Sequence, residues 1–525
     1  MGHEKDLVET IVNDLNTKPG DGNDQDRVDM LRLGRKQELL RTFRFFSVLA
    51  FVVILQSTWE GVLLTSQLSF GEGGLAGSIY LFISVWLGMV AVIASIAEMA
   101  SMAPTAGGQY HYVSELAPRN MQAFLSYLVA WFSCLGWVAG NPAVAQQVCG
   151  LVTQMVLISY PDADIGELWQ ATLIAMAFMF LAFFFNFFLA RRLALAESMI
   201  LVVHVLAFVV FIIIFWTMSP HTDATTVFTS TYNGSGWSTQ GFSVLVGIVA
   251  PLWCLAGSDC GAHMSEELED ASLQLPRAMM WSVTLNGIFG IVMLITFCFC
   301  ITDLDGLLGD DSTMPVVQIL YAATQSNAGT LVLCSVLVLL SFFGLLTNVA
   351  TTSRQIWAFA RDQGLPFSNW IHQVSTYWNV PFNALLASLA ISFVLLCINF
   401  GSDVALNAIL SVSNAALLFT YIIAIGCVRL KRLRGEPLLP RRWSLGSWGG
   451  MINDFALAFL AVAFVFSFFP EAPSIGDDTW VADFNWAIVI FAAWMVISVG
   501  LWFVGGARHR YVPPVMLVKP IDVTQ

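Results

Sequence analysis

Two carboxylates stand where an apolar chain tolerates them least. Glu60 interrupts residues 53–64, VILQSTWEGVLL, and Asp259 interrupts residues 247–267, GIVAPLWCLAGSDCGAHMSEE. Each run is long enough to cross a bilayer, and a carboxylate at that depth costs about 2.5–3.5 kcal/mol, so it faces a partner, a cavity or a transported ion. Neither acid has metal-spaced His or Cys beside it. The chemistry open to them is the binding of a cation or a proton. Both sit in breaks: Ser57, Thr58 and Gly61 flank the first, while Pro251, Gly257, Ser258 and Gly261 punctuate the second. Interrupted backbone at membrane depth is tolerated where it lines a cavity. The glycines would equally serve close helix packing, with the acids as buried ion-pair partners.

The elements that must position these acids follow from composition. Of 525 residues 57% are hydrophobic and 11% charged, which places the chain among polytopic membrane proteins. Runs of roughly 20 apolar residues read as spanning helices. They fall at about 45–67, 76–101, 122–158, 168–190, 193–218, 241–270, 276–301, 328–360, 381–400, 403–428, 447–469 and 483–504, giving an all-α protein of twelve spans. The 23 Lys and Arg then lie in the two tails and in loops on the N-terminal side. The opposite loops carry acids, among them Glu72, Asp164, Asp223 and Asp303. By the rule that basic residues collect inside, both termini are cytoplasmic. The net charge of −13 is spread over tails and loops and carries no signal for nucleic acid.

The polar first forty residues show no cleavable signal and read as a disordered tail. The division is an N-terminal tail at 1–44, helices one to five at 45–218, an outer loop at 219–240, helices six to ten at 241–428, helices eleven and twelve at 447–504 and a C-terminal tail at 505–525. The sequon Asn233-Gly234-Ser235 falls in the outer loop, where glycosylation is open to it. The nine cysteines lie within spans and predict neither a disulfide framework nor a metal site. Four complete spans separate the two broken ones. Breaks in corresponding positions of two halves are the pattern of an inverted five-plus-five repeat with its substrate site at the midplane.

Residues 98–113, EMASMAPTAGGQYHYV, resemble the segment after helix two in fungal permeases for amino acids, 4-aminobutyrate and choline, of the amino acid, polyamine and organocation superfamily. His263-Met264-Ser265-Glu266-Glu267 with Leu275-Pro276-Arg277-Ala278, and residues 358–367, AFARDQGLPF, extend the resemblance over about residues 40–510. It implies the leucine-transporter fold with discontinuous helices one and six, and secondary transport by alternating access.

The resemblance also implies roles. Members often carry Gly-(Ser/Ala)-Gly and two apolar residues at the first break, where amides grip a substrate carboxylate. The matching positions are Trp59, Glu60, Gly61, Val62 and Leu63, so only the last glycine survives. An anion and an indole favour recognition of a cation. The family's aromatic, glycine and acid at the second break match Trp253, Gly257 and Asp259: Trp253 to cover substrate, Asp259 to couple a proton or bind an amine. Thr58 and Ser258 are candidate polar contacts. His204 lies within helix five, a helix in which some proton-coupled relatives carry a Lys, and histidine is the residue type whose charge changes in the physiological range. Thr351 and Thr352 on helix eight are the alternative, an oxygen-lined sodium site.

The reading is a secondary transporter, with a proton favoured over sodium, importing a small amine-bearing solute such as an amino acid, 4-aminobutyrate or choline across a plasma membrane; a vacuolar membrane is the other compartment open. The alternative is a nutrient sensor of the same fold, against which the short tails argue. No acyl-transfer pattern, metal cluster or phosphate loop points to an enzyme or a cofactor.

Overall fold

The computed structural model describes residues 22–165, 167–309, 313–375, 377–400, 404–470, 472–473 and 484–518. Residues 1–21 and 519–525 of the tails, and the starts of the tenth and twelfth apolar runs, lie outside them. Among the described residues the protein is helical without a strand; the one β-bridge pairs Phe43 with Leu268.

In chain order the principal helices are α1 (Asp24–Arg32), α2 (Phe45–Gln56), α3 (Thr58–Met102), α4 (Gln109–Leu116), α5 (Gln122–Ser159), α6 (Leu168–Phe188), α7 (Leu193–Met218), α8 (Ala224–Thr229), α9 (Gln240–Val246), α10 (Val249–Leu255), α11 (Cys260–His263) and α12 (Ala271–Cys300). They continue as α13 (Leu304–Gly309), α14 (Pro315–Thr324), α15 (Asn327–Arg361), α16 (Ser368–Ile371), α17 (Phe382–Leu396), α18 (Val404–Leu433), α19 (Gly449–Phe466) and α20 (Ala487–Phe503). Among the described residues nine helical stretches are long and apolar enough to cross a membrane, ten if a bent C-terminal pair counts as one.

One of those stretches, Phe45–Met102, has 58 residues, which at 1.5 Å each exceeds a single 30 Å crossing. It is interrupted at Ser57 and turns at Gly74. A side chain at Gly74 (φ +68°) would meet the backbone nitrogen of Tyr232 at 2.7 Å, so only glycine fits where the loop before α9 crosses the turn. In that loop Asn233 bonds both the N–H and the C=O of Trp237, and Ser235 donates to Glu72.

α7 shows why these helices need a lipid solvent. Leu193, Glu197, Ile200, His204, Ala207, Phe211 and Phe215 form its buried stripe. The opposite face is also apolar: Leu195, Met199, Val202, Leu206 and Ile213 are exposed. A helix apolar all round with one face uncovered belongs against acyl chains.

The N-terminal segment departs from its composition. Residues 22–44, read as disordered tail, pack against the ends of the broken helices. Asp26 accepts the N–H groups of Asp270 and Ala271, capping α12 from a distance of some 240 residues, and pairs with Arg41 at 3.3 Å. Thr42 and Phe43 donate backbone bonds to Glu267 at 2.9 Å. Polar composition predicts disorder only where the polar groups find no partners.

Candidate functional site

The two breaks satisfy each other. α2 ends at Gln56, Ser57 takes a left-handed conformation (φ 39°), and α3 restarts at Thr58. Opposite, α10 ends at Leu255, Ala256 is extended and Gly257 adopts φ +94° before α11 begins. A Cβ at Gly257 would also sit 2.7 Å from Leu55 Cδ2. The break strips the carbonyls of Cys254 and Leu255 of helical partners, and unpaired carbonyls are costly away from water. Thr58 Oγ1 donates to the Cys254 carbonyl at 2.7 Å and Gln56 Nε2 to that of Leu255 at 2.9 Å. Asn286 in turn donates to Gln56 Oε1 at 2.8 Å. Thr58 is thus a strut between the breaks. Thr58→Val leaves the Cys254 carbonyl unpaired and lowers stability by about 1–3 kcal/mol, seen as earlier thermal unfolding of the detergent-solubilised protein.

Between the breaks lies a cavity of about 700 Å³, mouth included, walled by the α2–α3 junction, α5, the α10–α11 junction, α15 and α18. Its polar lining comprises Gln56, Ser57, Glu60, Gln147, Ser341, Asn348, Ser413 and Asn414, and its aromatic faces are Trp137 and Trp253. Among the described residues Glu60 is the sole ionisable side chain lining it. Its carboxylate is 1% exposed; Oε1 lies 2.7 Å from Nδ1 of the fully buried His204, and Oε2 has no partner. Glu60 also stands in the first turn of α3, where the helix dipole favours an anion. The Trp137 indole N–H is likewise buried and unpartnered.

The sequence-derived candidates divide. Glu60, Gly61, Trp253 and Gly257 line the cavity, with His204 directly behind Glu60. Trp59 turns away, packing on His204, Phe208 and Phe211 at ring distances of 5.7, 6.1 and 5.3 Å. Asp259 is fully buried outside the cavity lining, where Tyr421 donates to Oδ1 at 2.5 Å and Gln109 to Oδ2. Ser258 is buried beside the Ser282 hydroxyl, 3.4 Å away. Thr351 and Thr352 donate to the carbonyls of Thr347 and Asn348 within α15, at 2.9 and 2.7 Å, and are not part of the lining. Sequence reading passed over Gln56, Trp137, Asn348 and Asn414, although an amide inside an apolar span is the same kind of signal as an acid there.

Toward the face that carries the N-terminal segment, a layer of ion pairs closes the bundle. Arg361 grips Glu266 through two bonds of 2.8 Å, and Arg354 bonds Glu267 at 2.9 Å. Arg35 from the N-terminal segment grips Asp362 at 2.5 and 2.8 Å, Tyr110 donates to the same carboxylate at 3.0 Å, and Val512 N–H bonds the Asp362 carbonyl at 3.0 Å. Both terminal segments therefore clasp the end of α15. Such paired, buried, bidentate contacts hold geometry strongly.

Comparison with known proteins agrees with this architecture. The amino acid permease family matches residues 43–497. A Macrophomina phaseolina protein named as an amino acid/polyamine transporter is 31% identical over 435 residues, covering 82% of this chain and 95% of its own. The choline transporter of Saccharomyces cerevisiae is 26% identical across 97% of this chain and 88% of its own, and an Arabidopsis thaliana amino-acid permease is 26% identical across 94% and 96%. Broken helices around a polar cavity, a layer of buried ion pairs and a family match over most of its length together make this chain a multi-pass membrane transporter of the amino acid permease family.

Proposed function

We propose that this permease imports a small solute bearing an exposed cationic amine, by alternating access and together with a proton. The observation that carries the reading is Glu60: a buried carboxylate with a free oxygen, the sole ionisable side chain lining the cavity among the described residues. An ammonium group placed there gains a charge-assisted contact, and the faces of Trp137 and Trp253 add cation–π attraction. The side-chain oxygens of Asn348 and Asn414, whose amide nitrogens are taken by Asn141 and the Val249 carbonyl, remain for the rest of the solute. A zwitterion such as an amino acid or 4-aminobutyrate would set its carboxylate against backbone N–H groups at the start of α3, near Gly61. A choline-like cation needs no such cradle.

His204 shares Glu60 with the solute, so the pair can hold a proton when the cavity is empty and rearrange when the solute arrives. In this scheme residues 45–218 and 241–428 form the two moving halves, the termini face the cytoplasm, and the ion-pair layer is the inner gate at a plasma membrane. The choline transporter and the amino acid/polyamine transporter among the relatives support the substrate class.

The test is uptake of labelled choline, 4-aminobutyrate and a panel of amino acids into transporter-deficient yeast expressing the protein, at acidic and neutral pH. Saturable uptake of amine-bearing solutes, stronger with an inward proton gradient, is expected. No uptake of any amine with the protein confirmed at the surface, or uptake indifferent to the proton gradient, overturns the respective half of the reading.

A further inference from the structure

A second acid lies buried in the bundle, apart from the cavity. Glu197 is fully buried on the inner stripe of α7, seven residues before His204 on the same face, about 10 Å along the axis at 1.5 Å per residue. Its Oε1 lies 2.9 Å from Thr347 Oγ1, and its Oε2 has no partner. The Thr347 hydroxyl also lies 2.7 Å from the carbonyl of Phe343, one turn back on α15.

A hydroxyl has one proton to give. Thr347 Oγ1 stands within donating distance of both Glu197 Oε1 and the Phe343 carbonyl, and that carbonyl can only accept. Both contacts are hydrogen bonds at once when Thr347 donates to the carbonyl and accepts a proton carried by the Glu197 carboxyl. The surroundings agree. α2, packed against α7, brings no ionisable side chain. α12 brings the exposed Arg277 and two buried thiols, Cys298 and Cys300; α14 brings Tyr321, and Cys260 follows the second break. On α15, besides the thiol Cys334, Arg354 is taken by Glu267 and Arg361 by Glu266. The turn before α7 carries Arg191 and Arg192, both exposed, so an ionised carboxylate here would stand uncompensated in a dry bundle.

We propose that Glu197 is a proton-binding site of the transport cycle, loaded while the inner gate is closed and emptied when the gate opens. Thr347 precedes Asn348, which lines the cavity, and Arg354 and Arg361 hold the gate from the same helix. Parting of those pairs shifts α15 and admits water, and the carboxyl proton passes to that water, leaving a hydrated carboxylate. The site rests on the transport reading for its purpose but not for its existence.

Infrared difference spectroscopy of the purified protein at neutral pH separates the two. Subtracting Glu197→Gln from the wild type should leave the carbonyl-stretch band of an un-ionised carboxylic acid; a carboxylate band in its place overturns the proposal. If Glu197→Gln does not fold, Thr347→Val decides: removing the hydrogen-bond partner shifts the acid band, whereas an unmoved spectrum overturns it. In cells, Glu197→Gln should exchange labelled choline or amino acid across the membrane but lose the gain from external acidity. Retention of that gain also overturns the assignment to the cycle. An acid band in a wild type that takes up no solute would leave the proton site standing and remove the transport reading alone.

Discussion

Glu60→Gln is expected to lower kcat/KM for an amine-bearing solute roughly 100-fold, chiefly through KM. The replacement keeps the size and a hydrogen-bonding group beside His204 but removes the charge. Taking one partner from a buried, desolvated ion pair costs about 3 kcal/mol or more, and each 1.4 kcal/mol is a factor of ten. Glu60 qualifies as desolvated: it is 1% exposed, it lines the cavity, and one carboxylate oxygen is buried without a partner. Loss of Asp259 should behave differently, because Gln109 and Tyr421 already occupy its oxygens outside the cavity lining. Asp259→Asn should leave KM near the wild type and alter the pH profile or turnover. Radiolabelled uptake over a concentration range at two pH values reads both. Equal KM for Glu60→Gln and wild type would show that the solute does not meet this carboxylate.

The second large effect concerns the gate. Arg35→Ala removes a bidentate partner from the Asp362 carboxylate, which is 1% exposed and keeps the Tyr110 hydroxyl as a hydrogen-bond donor. Breaking a buried pair in this way costs about 3–5 kcal/mol, so the closed-gate conformation should lose at least roughly 100-fold in population relative to the open one. Cys260 reports it: fully buried in α11 just past the second break, it should resist a maleimide in the wild type and react in Arg35→Ala. Cys260→Ser in the same background assigns the signal among the nine cysteines. An unreactive Cys260 in Arg35→Ala would mean that the N-terminal segment does not bear on the gate.

Much of the scaffold is legible in one dimension. Apolar runs longer than a bilayer crossing admit only helices, because lipid offers the backbone no hydrogen bonds, and α7 occupies Leu193–Met218 where the run at 193–218 predicts it. The breaks are legible for the same reason: Ser57 and Gly257 mark where the ladder stops, and a carboxylate beside each says that something polar must answer it. The partnership across the breaks is not legible. Thr58 caps Cys254 and Gln56 caps Leu255 across nearly 200 residues, a pairing that depends on how two helix ends are placed.

Direction is the other thing the chain order withholds. Beside an interruption the helical register restarts, so adjacent residues can face opposite ways: Glu60 lines the cavity while Trp59 turns to α7, and Gly257 lines it while Asp259 turns to Gln109 and Tyr421. His204 is equally ambiguous by itself, a lone ring on an apolar helix, until packing brings it 2.7 Å from Glu60. The N-terminal segment is the plainest case, since its charges look solvated in sequence and find buried partners only beside Asp270 and Asp362. The solvent, the helices and the two sites of interruption can be read from residue order, because they follow from local hydrophobicity and backbone hydrogen bonding. Tertiary structure alone decided which acid faces the cavity, which is sealed and which meets a histidine, because the energy of a buried charge is set by neighbours distant in the chain.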